Sequence, residues 1–208
     1  MTAAEFIDAV RDANDTALSR LGSSKSLYAD TQGEMEAEEV LRAAATAEHH
    51  AAETYEQWAD ESDGDVADAF AETAAEERDH YATVAGELDD HDPGELSAIQ
   101  AYLRDLEGDV ERLGGFVGRT LAAEKSKEQT TGFFVGEADP QTARLFREMG
   151  DDLDAQLERA TDLLEAECGD DDDCWNRAEE AASGAIQAAY DEYTERLESM
   201  GVNPKPVC

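Results

Sequence analysis

The sequence predicts an all-α helical bundle. Apolar residues recur at helical spacing through long segments, Gly and Pro fall between those segments, and no run shows the β-branched alternation of a strand. At 208 residues the chain is long enough for one good-sized core or two small ones.

The helices follow from their start and stop signals. The first covers about 3–21, with Phe6, Val10, Ala13, Ala17 and Leu21 on one face, and Gly22 stops it. GSSKSLYADTQG reads as a connector. A long helix follows over about 34–61, and DESDGD turns the chain, with Asp63 placed to cap a helix over about 64–89. In HDPG, Asp92 and Pro93 open a helix over about 93–113. Gly114-Gly115 allows a kink or break before a helix over about 116–136. Asp139-Pro140 repeats the start signal for a helix running to about 167. The acidic loop CGDDDDC leads to a last helix over about 174–199, and GVNPKPVC is a tail. The expected organisation is an N-terminal helix and connector (1–33), a central bundle (34–167) and a C-terminal loop, helix and tail (168–208). Within the bundle, a hairpin at 34–90 and a second at 116–167 flank a crossover helix at 93–113.

Charge sets the solvent and narrows the partners. Asp and Glu number 52 against 16 Lys and Arg, a formal net charge of -36, while hydrophobic content stays at 41%. That apolar content is too high for a disordered acidic chain. A folded protein repelling itself this strongly needs screening, and in molar salt the Debye length falls to about 3 Å. The expectation is therefore a halophilic protein of a salt-accumulating cell. Nucleic acid is not an expected partner, because phosphate neutralisation needs Lys/Arg clusters. No apolar run approaches a membrane span, so no membrane partner is expected. The N-terminus MTAAEFIDAV has no basic region followed by an apolar core, so a cytoplasmic location follows. In that reducing compartment Cys168, Cys174 and Cys208 are expected as free thiols, with a Cys168–Cys174 loop disulfide or a metal held with Cys208 as alternatives. The loop GDDDDC lacks the ligand order and central Gly of an EF-hand and reads as solvated.

Candidate function lies where ionisable groups interrupt apolar stripes. Leu41, Ala44, Glu48, Ala51, Tyr55 and Trp58 share one face of the first long helix, with Glu48 in its middle. Val66, Phe70, Thr73, Glu77, His80, Val84 and Leu88 share one face of the next, which carries Glu77-x-x-His80. A lone Glu can sit at a stripe edge, and a lone His can be a hydrogen-bonded core residue. Three such groups converging inside one hairpin are costly unless paired or bound to metal. Carboxylate oxygen and imidazole nitrogen suit Fe or Mn. His49 and His50 turn away from this stripe and read as surface residues. Trp175, Ala178, Ala182, Ile186, Ala189, Tyr193 and Leu197 form a stripe on the last helix, which must pack on its own bundle or on another subunit.

An internal repeat is expected if a second hairpin mirrors the first. A shift of 76 residues superposes Glu48 on Glu124 and the cap Asp63 on the cap Asp139. Glu124 also lies on a stripe with Val117, Leu121 and Glu128.

AEHHAAETYEQWA, in which Tyr55 follows Glu48 by seven residues, together with FAETAAEERDH and AAEKSKEQ, resembles the rubrerythrin family of the ferritin-like superfamily. The resemblance covers about 36–160. It implies an all-α, ferritin-like four-helix bundle with a long crossover, here filled by the 93–113 helix, plus accessory terminal helices. It also implies a non-haem di-iron centre reacting with peroxide or dioxygen, with Fe or Mn as the metal. Glu48, Glu77, His80 and Glu124 would be its ligands and Tyr55 a second hydrogen-bonding layer. No C-x-x-C pair is present, so the rubredoxin domain of typical rubrerythrins is missing and an electron donor must come from elsewhere. A homodimer is the expected assembly.

The second half departs from the family pattern. The same shift places Glu77 on Leu153 and His80 on Gln156, so the second Glu-x-x-His is absent. The site then binds one metal, or recruits Glu128, Asp152 or Gln156 to hold two, or has lost the chemistry and survives as a scaffold or regulatory adaptor.

Overall fold

The computed structural model describes residues 1–205. Among them it forms helices α1 (Ala3–Ala13), α2 (Asp15–Leu21), α3 (Ser24–Asp30), α4 (Ala37–Glu61), α5 (Gly64–Ala85), α6 (Ala98–Arg104), α7 (Asp109–Gly136), α8 (Pro140–Cys168) and α9 (Asp172–Ser199), with no strand. The all-α ferritin-like fold class is borne out. Helices α4 and α5 form one antiparallel hairpin, α7 and α8 the other, and α9 lies along α7.

Several element boundaries differ from the sequence reading, each for a local reason. The first helix is broken at Asn14, whose side-chain amide donates to the Val10 carbonyl at 2.8 Å and to Ser183 at 2.9 Å. A side chain that takes the backbone's own acceptor competes with continued helix. The connector contains a further short helix, α3, which buries Leu27 and Ala29. The crossover helix is much shorter than expected. Asp92-Pro93 does not open it; it starts after Ser97 and ends at Arg104.

Gly114-Gly115 causes neither kink nor break, because α7 runs through it from Asp109. Gly114 and Gly118 instead lie against the backbone of Ala178 and Ala182 in α9, where an added Cβ would collide. Four residues apart on each helix, these small residues let α7 and α9 pack backbone to backbone. The last helix therefore buries Trp175, Ala178, Ala182 and Ile186 on its own bundle.

Asp139-Pro140 acts as read: the Asp139 carboxylate accepts from the backbone N–H groups of Gln141 and Thr142, both at 3.1 Å, and Pro140 opens α8. Asp171 caps α9 in the same way. The expectation of free thiols at Cys168 and Cys174 is overturned, because the two form a disulfide. Cys168 ends α8 and Cys174 lies in the first turn of α9, and the tight turn brings their Cα atoms to 5.3 Å, within bonding range. Cys208 lies outside the described residues.

The interior is layered. One apolar cluster gathers Tyr55, Trp58, Phe70 and Phe116 and continues to Trp175; a second gathers Val40, Leu41, Phe134 and Phe146. Along every bundle helix the two clusters are separated by polar residues: Glu48 on α4, Glu77 and His80 on α5, Lys127 on α7 and Gln156 on α8, all buried. A polar layer therefore crosses the bundle between two dry ones.

Candidate functional site

Glu48, Glu77 and His80 meet in that layer as their stripes require. Each offers a ligand atom, and these atoms lie within 4.8 Å of one another. The His80 Nδ1 atom is 3.9 Å from Glu48 Oε2 and 3.8 Å from Glu77 Oε2. On its other side, His80 Nε2 lies 3.0 Å from Asp152 Oδ2.

The opposite hairpin brings cations. The Arg119 guanidinium grips Glu77 with both arms, Nη1 to Oε1 at 2.7 Å and Nη2 to Oε2 at 3.0 Å. Its Nη2 is also 3.8 Å from Glu48 Oε2. The Lys127 ammonium donates to Glu48 Oε1. The Gln156 amide donates to Glu77 Oε1 at 3.0 Å and to Glu76 Oε2 at 3.1 Å. Below Arg119 lies the Tyr55 ring, with the guanidinium carbon 5.8 Å from its centroid, a cation–π distance.

These contacts set the protonation states. Burial pushes Glu48 above the usual carboxylate range, against the pull of Lys127. Burial, the largest single influence, acts on Glu77 in the same direction, but the Arg119 guanidinium, His80, Glu48 and Lys127 together outweigh it and hold Glu77 well below that range. Burial alone would lower His80; Glu77, Glu48 and Asp152 raise it instead. Glu77 is thus the fixed anion of the layer.

The remaining predicted site residues fall elsewhere. Glu124 is not in the cluster: it faces the N-terminal helix and pairs with Arg11 at 3.4 Å. Glu128 is exposed and pairs with Lys125 at 3.2 Å. The Tyr55 hydroxyl is buried without a hydrogen-bond partner among the described residues, so it does not brace a carboxylate. Leu153 is buried in the core.

The cross-bundle register explains the misplaced Glu124. Glu48 faces Lys127 and Glu77 faces Gln156, each pair separated by 79 residues rather than 76. Three residues is close to one helical turn, so both shifts keep roughly the same face and the pattern alone could not separate them. At 79, His80 corresponds to Arg159, which binds Glu76 at 2.7 Å and Thr73 at 2.8 Å. The positions facing the first half-site thus carry Lys, Gln and Arg.

This decides whether two metals fit. A di-metal centre needs carboxylates and imidazole from both hairpins, and the second hairpin supplies two cations and an amide. Glu48 and Glu77 are already balanced by Lys127 and Arg119, so each added divalent ion would leave excess positive charge in a buried layer. The residues present do not fit a di-iron centre. Sequence reasoning missed Arg119 and Lys127 because it searched for ligands. The available signal was Lys127, one of four lysines, on a stripe with Thr120, Thr130 and Phe134.

A cavity of about 550 Å³ opens onto the same layer, reaching Glu48, Arg119 and Lys127. Small side chains on α4 and α7, among them Ala44, Ala47, Ala123 and Ser126, leave this space between the hairpins.

Fold and site together define a ferritin-like helical bundle holding a buried carboxylate–histidine cluster. Residues 39–105 match the family model described as Rubrerythrin, which bears out the family resemblance for this segment. The match includes Glu48, Glu77 and His80 and stops before α7. No curated protein and no solved structure matches the chain. No helix among the described residues is long and apolar enough to cross a membrane.

Proposed function

We propose that this chain is a rubrerythrin-derived bundle whose centre is closed by its own cations, and that it serves as a helical scaffold or regulatory adaptor in a salt-rich cytoplasm rather than as a peroxide reductase. One observation carries this reading: the bidentate Arg119–Glu77 pair, with Lys127 on Glu48, neutralises the two carboxylates of the half-site from within. Such pairs are strong and geometrically specific when buried.

A second reading is a mononuclear Fe or Mn site reacting with peroxide or dioxygen. It is favoured by the orphaned atoms Glu48 Oε2 and His80 Nδ1, both buried without a hydrogen-bond partner among the described residues. The cavity reaches Glu48, on the Glu48 side of this pair. In that case Glu48, Glu77 and His80 would hold the ion, which would supply the redox chemistry.

Anaerobic loading with Fe²⁺ and with Mn²⁺ in molar KCl, followed by elemental analysis, separates the two. The scaffold reading expects wild-type protein to retain no more metal than the Glu77→Ala/His80→Ala variant, and no peroxide consumption above buffer. One ion per chain, held by wild type and lost by the variant, would establish the mononuclear site instead.

A further inference from the structure

Outside the central layer, three of the four histidines gather on the opposite side of α4. His91 packs tilted against Tyr81, and Tyr81 meets His49 edge-on, as His49 meets His50. Glu53 faces both α4 histidines. His49 Nε2 is 3.3 Å from Glu53 Oε1, the i,i+4 spacing that puts two side chains on one helical face. His50 Nδ1 is 3.3 Å from Glu53 Oε2.

The tautomer of His50 makes this contact informative. Its Nε2 lies 3.1 Å from the Gly94 carbonyl oxygen, which can only accept, so Nε2 carries the proton. A neutral ring then points the Nδ1 lone pair at a carboxylate oxygen. Two acceptors at that distance repel unless a cation or a second proton lies between them. A ring that donates one nitrogen to a backbone carbonyl and frees the other is also the arrangement that orients metal-bound histidines.

We propose that His49, His50 and Glu53 form a binding site for one borderline divalent transition cation, of the chemical type of Zn²⁺. Two imidazole nitrogens and one carboxylate oxygen are the ligand set such ions prefer, and they leave a position open to water. Oxygen-only cations such as Mg²⁺ and Ca²⁺ are poorly matched. Arg104 supports the site from behind, with Nη2 donating to Glu53 Oε2 at 3.0 Å and to the His50 carbonyl at 3.2 Å, which leaves Glu53 Oε1 beside His49 free of that arm. The edge contact with Tyr81, its ring centroid 5.1 Å away, holds His49 toward Glu53. His50 is buried and Glu53 half-exposed, so the ion has a held side and an open one. The proposal stands independently of the central layer, since it uses none of its residues.

The test is binding of Zn²⁺ to the full chain in molar KCl by calorimetry, with Co²⁺ absorption as a spectroscopic probe. The expected result is one ion per chain, weakened at least about tenfold by His50→Ala and by His49→Gln. Because His50 is buried, Glu53→Gln is the second variant; it keeps the shape, removes the charge, and is expected to weaken binding to a similar degree. Absence of Zn²⁺ binding would overturn the site. Binding that survives these substitutions but is lost in His80→Ala would place the ion in the central layer and overturn it equally.

Discussion

At the scale of single residues, Glu77 is fully buried and Arg119 nearly so, and each is the other's principal charge partner. Arg119→Met leaves a buried carboxylate without its bidentate partner, with the Gln156 amide and His80 still beside it. The expected loss is about 3–5 kcal/mol, the cost of breaking a buried pair from one side. Replacing both partners, as Glu77→Leu/Arg119→Met, is expected to recover most of that loss, because neither charge is then stranded. Denaturant unfolding in high salt measures both, and equal losses for the single and double variants would show that the pair is not the source. Glu48, Glu77 and His80 were legible in the sequence because an ionisable group in the middle of an apolar stripe needs a partner. The partner itself was not legible: metal and guanidinium satisfy the same carboxylate, and only the register across the hairpins tells them apart.

Helices were legible where a local signal acts alone and obscure where a neighbour decides. Asp139-Pro140 carries its whole mechanism within four residues, and the structure forms the cap it predicts. Asp92-Pro93 has the same letters, yet the helix waits until Ala98. Gly114 reads, with Gly115, as a possible break in a helix, but together with Gly118 it serves α9, which arrives from about sixty residues away in sequence. Gly118→Ala is expected to cost about 1–3 kcal/mol, because the methyl group meets the Ala182 backbone and the helices must separate. Gly132 lies in the same helix with open space around its Cβ position, so Gly132→Ala is expected to stabilise by about 0.5–1 kcal/mol. Thermal unfolding of the two variants side by side distinguishes a packing role from simple helix propensity; a loss at both positions, or at neither, would contradict the close α7–α9 contact.

The whole molecule divides its charge sharply between surface and interior. Of 16 basic residues against 52 acidic ones, Arg112, Arg119 and Lys127 are buried. Arg119 and Lys127 face the buried Glu77 and Glu48, so the interior is close to neutral and nearly all of the net negative charge lies on the surface. These two populations should answer differently to salt. Exposed carboxylates repel through solvent, and their repulsion reaches about 3 Å at 1 M salt but about 30 Å at 0.01 M. Buried pairs such as Arg119–Glu77 are screened far less. Dialysis from molar KCl into dilute buffer is therefore expected to lower the melting temperature steeply and to reduce helicity by circular dichroism. The stability difference between wild type and Arg119→Met, measured at two salt concentrations where both are folded, is expected to stay nearly constant. Helicity and melting temperature unchanged in dilute buffer would remove the halophilic reading. A penalty for Arg119→Met that shrank with added salt would place that pair in contact with solvent, against the buried layer described above.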